Sequence, residues 1–176
     1  RKAMPPELVM QMPLVKDVLS AMNIKILEME GYEADDIIGT VAKAAEEQGI
    51  EPLIITGDKD ALQLVTEKTK VIITKRGITD FEIYDPGKME ERYGLTPSQF
   101  IDLKGLMGDS SDNIPGIPGV GEKTGIKLLE QFGSIENLLT HTEDISSAKL
   151  RLKVEENAQL AVMSKRLATI NTNVPI

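Results

Sequence analysis

The sequence predicts an α/β protein, with a parallel-sheet core over residues 1–85 and a helical region over residues 86–176. Two observations carry that reading. Between Ile24 and Thr74, short apolar runs alternate with helix-like segments, the pattern of a layered parallel sheet. From Pro86 onward no strand-like run appears, and helical segments follow one another. The boundary therefore falls near Asp85.

Taken in order, Leu8, Met12, Val15, Leu19 and Met22 recur at spacings of three or four, so residues 5–22 read as an amphipathic helix opened by prolines. Residues 24–29 are short and rich in apolar side chains and read as the first recognisable strand. Gly31 follows, then a helix over 34–48 with Ile37, Ile38, Val41 and Ala45 inward, ended by Gly49. Residues 52–56 form a continuous apolar run, as in a strand covered on both faces. A short helix over 60–65 and a strand over 71–74 come next. Lys75, Arg76 and Gly77 read as a turn, and residues 81–84 return as an antiparallel edge strand. The helical region holds segments at 86–93, 97–107, 122–132, 134–139 and 148–169. Thr96 followed by Pro97 is a strong helix start, with threonine as cap and proline in the first turn. Lys149, Arg151, Lys153, Lys165 and Arg166 read as a solvated basic face.

Composition narrows the chemistry. The 176 residues suffice for one domain, or for a core with a small appended module. No apolar run approaches the ~20 residues of a membrane helix, and no signal segment opens the chain, so a cytoplasmic protein without a membrane partner is expected. The absence of cysteine removes thiolate sites, and the single histidine, His141, lies in a polar stretch and cannot build an imidazole site. Any metal must sit on oxygen ligands, which suits Mg²⁺ or Mn²⁺. A net charge of −8 opposes general nucleic-acid binding. That objection weakens where the acids cluster, because bound cations would neutralise them and leave local lysines to meet phosphate. The chain begins at Arg1 without methionine and reads as a fragment.

The acids fall at informative places. In open parallel sheets ligands bind beyond the carboxyl ends of strands. Glu33, Asp35 and Asp36 follow the first apolar run and open a helix, and Asp58 and Asp60 follow the second. Acids in a first helical turn also suit the helix dipole, and Asp58 also fits a helix cap. Neither role explains four or more carboxylates at one sheet edge, where like charges repel unless cations lie between them. Asp109 and Asp112 would complete a dense oxygen-ligand pocket, suited to two-metal phosphodiester hydrolysis with ions ~3.5–4 Å apart. Beyond them, Gly116, Gly119 and Gly121 form a glycine hairpin that opens a helix, so backbone amides and a helix N-terminus can approach phosphate. Lys123 and Lys127 lie one turn apart on that helix and can reach adjacent phosphates.

Three segments together carry a family resemblance: Gly31-Tyr32-Glu33-Ala34-Asp35-Asp36, Thr56-Gly57-Asp58-Lys59-Asp60, and Gly108-Asp109-Ser110-Ser111-Asp112-Asn113 running on to Gly121-Glu122-Lys123-Thr124-Gly125. In order and spacing they resemble the 5′-nuclease, or flap endonuclease, family in the form that precedes a bacterial DNA polymerase. The resemblance spans nearly the whole chain. It implies an enzyme of replication and repair in which two divalent ions cut 5′ flaps and RNA primers from duplex DNA. Glu33, Asp35, Asp58, Asp60 and Asp112 would be metal ligands, with Asp36 and Asp109 supporting or joining them. Gly116, Gly119, Gly121, Lys123 and Thr124 would form a helix-hairpin-helix element that holds the duplex, with K⁺ on its backbone carbonyls. Arg1 and Lys2 would end the flexible arch that passes the 5′ end. A polymerase domain would follow covalently, in a monomeric protein. The family's first strand with its metal-binding aspartate, a second aspartate before the arch, and most of the arch have no counterpart in residues 1–176, which implies impaired cleavage by this chain alone. Gly125 stands where many such helices carry alanine.

Two alternatives stand beside the nuclease reading. One is a non-catalytic duplex-binding module carried by the hairpin. The other is a phosphatase-like hydrolase with Asp58 as nucleophile and Asp60 as acid/base, which leaves the hairpin without a purpose.

Overall fold

The computed structural model describes residues 4–76 and 79–176. Helices α1 (Pro6–Ala21) and α2 (Ala34–Glu47) precede strand β1 (Leu53–Thr56), a 3₁₀ turn (Lys59–Leu64), β2 (Lys70–Arg76) and β3 (Asp80–Tyr84). The helical part holds α3 (Pro86–Tyr93), α4 (Pro97–Met107), α5 (Glu122–Phe132), α6 (Ile135–Thr140), α7 (Ala148–Glu156) and α8 (Ala158–Ala168). The predicted turn at 75–77 lies partly outside the described residues. None of the described helices is long and apolar enough to cross a membrane.

β1 and β2 pair in parallel, Ile54 opposite Val71, and β3 returns antiparallel on β2, Ile72 opposite Ile83. The sheet order is β1-β2-β3, which leaves β1 at an edge. Two expectations change here. Residues 24–29 form no strand: a strand needs a ladder partner, and this stretch has no backbone ladder bond among the described residues. It lies instead beside α1, α2 and β1 along an apolar groove of about 790 Å³. β1 is also covered on only one face, with Ile54 buried and Leu53 and Ile55 exposed. The same groove leaves α1 without a buried residue, so Leu8, Met12, Val15 and Met22 all stay exposed.

α2 buries Ile37, Gly39 and Ala42, with Val41 turned outward rather than inward. Val41 lines the open groove, while a strap of extended chain after α8 covers Gly39 and Thr40. Gln63 receives the Ile170 N–H at 3.0 Å and donates to the Ala168 carbonyl at 3.0 Å. The Val174 N–H then donates to Thr40 Oγ1 at 3.0 Å, and Lys43 Nζ to Asn173 Oδ1 at 2.8 Å. Ile170 and Thr172 pass so close to Gly39 that a Cβ there would lie 3.0–3.1 Å from them.

α4 is the centre of the fold. Thr96 and Gln99 cap it reciprocally, and Pro97 opens it as the sequence predicts. It buries Phe100, Leu103 and Leu106, and it also buries Asp102 and Lys104, because it packs against α5, α6, α8 and the 3₁₀ turn. Tyr84, Tyr93 and Phe100 form an aromatic chain from β3 through α3 to α4, with ring centroids 6.5 and 5.3 Å apart. One contiguous core therefore runs from Val71 and Tyr84 in the sheet to Leu129 and Leu138 in the helices.

Lys165 departs from the expected solvated face. Its ammonium lies 2.6 Å from Asp102 Oδ1 and 2.8 Å from Glu136 Oε1, because α8 lies against α4. Gly105 permits that approach, since a Cβ there would stand 2.6 Å from Ile135 Cδ1 and 2.8 Å from Lys165 Cβ. At Gly125 an added Cβ meets chiefly the flexible end of Leu103, at 2.7 Å. Gly105→Ala is expected to destabilise the protein by roughly 1–3 kcal/mol through overpacking. Gly125→Ala should stay within about 1 kcal/mol of the parent, because better helix propensity offsets a smaller clash. Urea unfolding of both variants checks the order, and equal stabilities would refute the packing argument.

Candidate metal centre and nucleic-acid interface

Three loops deliver the acids to one place. Glu33 and Asp36 open α2, where the Glu33 N–H donates to Asp36 Oδ2 at 3.3 Å. Asp36 Oδ1 accepts the Asn171 N–H at 2.8 Å, so this carboxylate ties the strap to α2. Asp58 stands at the end of β1 and caps the 3₁₀ turn, its Oδ1 accepting the Asp60 N–H at 2.9 Å. Asp109 and Asp112 come from the turn after α4. That turn closes through paired backbone bonds of 2.8 Å between Asp109 and Ile114, with Asn113 at φ 59°.

The structure brings Asp60, Asp109 and Asp112 together, with one carboxylate oxygen of each within 4.8 Å of the others. A pocket of about 560 Å³ opens beside them, lined by Glu33, Asp35, Asp36, Asp60 and Asp112. Its opposite wall is Leu167 to Asn171, a contribution that nothing in the sequence pattern announces. Asp58 and Asp109 stand outside this lining, Asp58 exposed and Asp109 half-buried.

The electrostatics follow from crowding. Burial pushes Asp35 up from the ordinary value of 3.8, and the charges of Asp58, Asp60, Glu33 and Asp36 push it further. Burial also raises Asp60, and together with the charges of Asp58 and Asp109 it outweighs the lowering by Lys104. Burial acts upward on Asp109 too, but bonds from Lys104 and Ser111 outweigh it and hold that carboxyl below its usual range. Lys104 is the residue that sequence reasoning missed. It comes from α4 and reaches Asp60 Oδ1 at 2.5 Å and Asp109 Oδ2 at 2.6 Å. A lysine set among Leu103, Leu106 and Met107, five residues before an aspartate, was the available signal.

The hairpin is built on backbone contact. Gly108 and Gly116 both have positive φ, and a Cβ on Gly116 would lie 2.2 Å from Gly108 N. Gly116 is buried and its N–H donates to the buried Ser164 Oγ at 3.0 Å, so it sets the turn and offers no outward amide. Ile117 and Val120 anchor the hairpin in the core. Gly119, at φ 79°, is exposed beside the Lys153 ammonium, which brings one residue of the predicted solvated face to the hairpin tip. Gly121 caps α5 without a side-chain hydrogen bond, unlike Asp85, Thr96, Ser134 and Ser147 at α3, α4, α6 and α7. The Thr124 and Gly125 N–H groups donate to the Gly121 carbonyl, so it is the first amides of α5, those of Glu122 and Lys123, and the helix dipole that face an external anion. Lys123 and Lys127 are exposed on α5, and Thr124 is half-buried. Arg1 and Lys2 lie outside the described residues.

A small mixed sheet edged with carboxylates is followed by a helical region that carries a glycine hairpin between α4 and α5. Residues 1–94 match the family model "5′-3′ exonuclease, N-terminal resolvase-like domain", and residues 95–176 match "5′-3′ exonuclease, C-terminal SAM fold". The chain belongs to the 5′-3′ exonuclease family. It is 58% identical over 176 residues to DNA polymerase I of Bacillus subtilis and 47% identical over 176 residues to that of Streptococcus pneumoniae. All of this chain is covered in both cases, but it spans only 20% of the length of those relatives. Among solved structures it resembles a T5 5′-exonuclease with bound zinc, with a TM-score of 0.80 and 24% identity over 97% of this chain and 64% of that one. It also resembles the catalytic core of Rad2 in complex with DNA substrate, with a TM-score of 0.64 and 20% identity over 100% of this chain and 60% of that one. These two likenesses bear on the fold.

Because Asp35 is disfavoured as an anion in the folded protein, Asp35→Asn should raise the melting temperature of the metal-free protein at neutral pH. The sign follows from the raised folded value. Asp35 contributes stability below its ordinary value of 3.8 and loses it as pH rises through the raised value, so the gain from asparagine vanishes in acid. Thermal melts with a chelator across this range check it. A gain that is absent at neutral pH, or as large in acid, would contradict the crowding.

Proposed function

We propose that this chain carries the chemistry of a metal-dependent 5′-nuclease acting in bacterial cytoplasm on duplex DNA with a 5′ flap or an RNA primer, as the nuclease part of a longer DNA polymerase. Residues 1–85 would supply the nuclease core and residues 86–176 the duplex-holding region. The single observation that supports this most is the gathering of Asp60, Asp109 and Asp112 within 4.8 Å, beside an Asp35 whose ionised form its neighbours disfavour. Such an arrangement is stabilised by a cation of oxygen-ligand type.

The donor set fits Mg²⁺ or Mn²⁺. All its members are carboxylates, the oxygen donors that these hard ions prefer, and one oxygen of each of Asp60, Asp109 and Asp112 lies within 4.8 Å of the others. Glu33, Asp35, Asp58, Asp60 and Asp112 would hold two ions, with Asp36 and Asp109 supporting them. Bound divalent ions would supply an activated water and charge stabilisation for phosphodiester hydrolysis. The protein's own residues do the positioning. Asp36 fixes the opening of α2 against the strap, and Asp58 fixes the 3₁₀ turn that presents Asp60. The uncapped α5 N-terminus, Gly119, Gly121, Lys123, Thr124 and Lys127 would meet duplex phosphates and so read backbone rather than bases, with K⁺ as a further ion at the hairpin.

Metal is tested first. Millimolar-range Mg²⁺ or Mn²⁺ should raise the melting temperature, and the rise should shrink when Asp58→Asn and Asp60→Asn are combined. A flap substrate labelled at its 5′ end, incubated with Mn²⁺, should be cleaved slowly by the parent chain and not by that double variant. Absence of both metal stabilisation and cleavage would overturn the reading. The hairpin is tested separately. Lys123→Ala with Lys127→Ala should weaken duplex binding equally across sequences and flatten its salt dependence by roughly one unit of slope per lost phosphate contact. An unchanged or sequence-selective affinity would leave the hairpin as a structural cap.

A further inference from the structure

Lys104 occupies a position that a carboxylate metal centre has no evident need to fill. Its side chain is 10% exposed, and those of its partners Asp60 and Asp109 are 13% and 14% exposed. The helix that carries it is buried on several sides, and Asp102, two residues earlier, is held from the opposite side by Lys165 and the Ile135 N–H. The ammonium is thus fixed by the core of the fold rather than by the pocket.

Its contacts divide the acids. Asp109 has both oxygens engaged, Oδ2 with Lys104 and Oδ1 with the backbone N–H (2.8 Å) and hydroxyl of Ser111. Asp60 meets Lys104 through Oδ1 only. A divalent ion drawing on Asp60 and Asp109 together would therefore have to displace the ammonium or accept a like charge beside it, and either weakens binding.

On the nuclease reading above, we propose that Lys104 is a positioning residue that takes the place of one cation in the acidic cluster. It holds Asp60 and Asp109 in register before any divalent ion arrives, withholds Asp109 from direct ligation, and sets how tightly the cluster takes up divalent metal. The ion nearest Asp60 is consequently held through the oxygen that faces away from Lys104.

Mn²⁺ binding to the purified 176-residue chain tests this, measured by calorimetry alongside thermal melts with and without Mn²⁺. Lys104→Met should lower the metal-free melting temperature, enlarge the Mn²⁺-induced rise, and tighten Mn²⁺ binding by about tenfold or add one ion. Lys104→Arg keeps the charge and should restore parental Mn²⁺ affinity. If the methionine variant does not fold, Lys104→Gln, which keeps a hydrogen-bond donor without charge, must show the same tightening. Asp109→Asn gives an independent measurement: it should change Mn²⁺ affinity by less than about threefold, whereas Asp60→Asn should weaken it by at least about tenfold. Unchanged or weaker Mn²⁺ binding without the Lys104 charge, or a tenfold loss in Asp109→Asn, overturns the proposal. The two readings fail differently, since a wrong nuclease reading shows as no Mn²⁺ binding by the parent chain, and a wrong role for Lys104 as Mn²⁺ binding indifferent to it.

Discussion

Burial of a helix on several sides forces each charge it carries to find a partner inside the protein, because an unpaired buried charge costs several kcal/mol. α4 carries two, Asp102 and Lys104, and an i, i+2 spacing sends them to opposite sides of the helix. Asp102 takes hold of Lys165 on α8 and the first amide of α6. Lys104 takes hold of Asp60, which follows the sheet edge, and Asp109, which starts the hairpin loop. One helix therefore ties the α/β part, the hairpin and the last helix together through charges, while Phe100, Leu103 and Leu106 supply the apolar contact. Gly105 lets α8 approach closely enough for the Lys165 pair to form.

The acidic cluster depends on this arrangement. The carboxylates that follow β1 and those that open α2 come together because both elements contact the 3₁₀ turn. Their repulsion is visible in Asp35, which is pushed up by burial and by its neighbours. Asp109 joins at low cost because Lys104 and Ser111 bond its ionised form. The backbone contact between Gly108 and Gly116 then makes the Asp109 turn and the hairpin one rigid unit. Metal-binding chemistry and phosphate-binding geometry are consequently held in register by the same loop.

Much of this was legible along the chain. The caps at Thr96 and Asp58, the glycine at the end of α5's hairpin, and the placement of acids after strand-like runs are local chemistry, decided within a few residues. The helices at 86–93, 97–107 and 122–132 appear with the expected bounds. Residues 24–29 show the limit of such reading. Their composition suits a strand, but a strand exists only through a ladder partner that local sequence does not specify. Lys165 shows it again, since a lysine on a polar helix looks solvated until α8 is laid on α4.

By itself, the sequence determined the helices at 86–93, 97–107 and 122–132, the caps at Thr96 and Asp58, and the local acid motifs, because propensity and turn chemistry act within a few residues. Tertiary structure alone decided that Lys104 enters the acid cluster, that Gly116 turns its amide inward to Ser164, and that residues 167–171 close the pocket. Each of these joins groups 44 or more positions apart or depends on which face of α4 is covered, as with Lys104 and Asp60, Gly116 and Ser164, and Asp36 and Asn171. Periodicity places a residue on a face of its own helix, but the partner on that face is chosen by packing of the whole core.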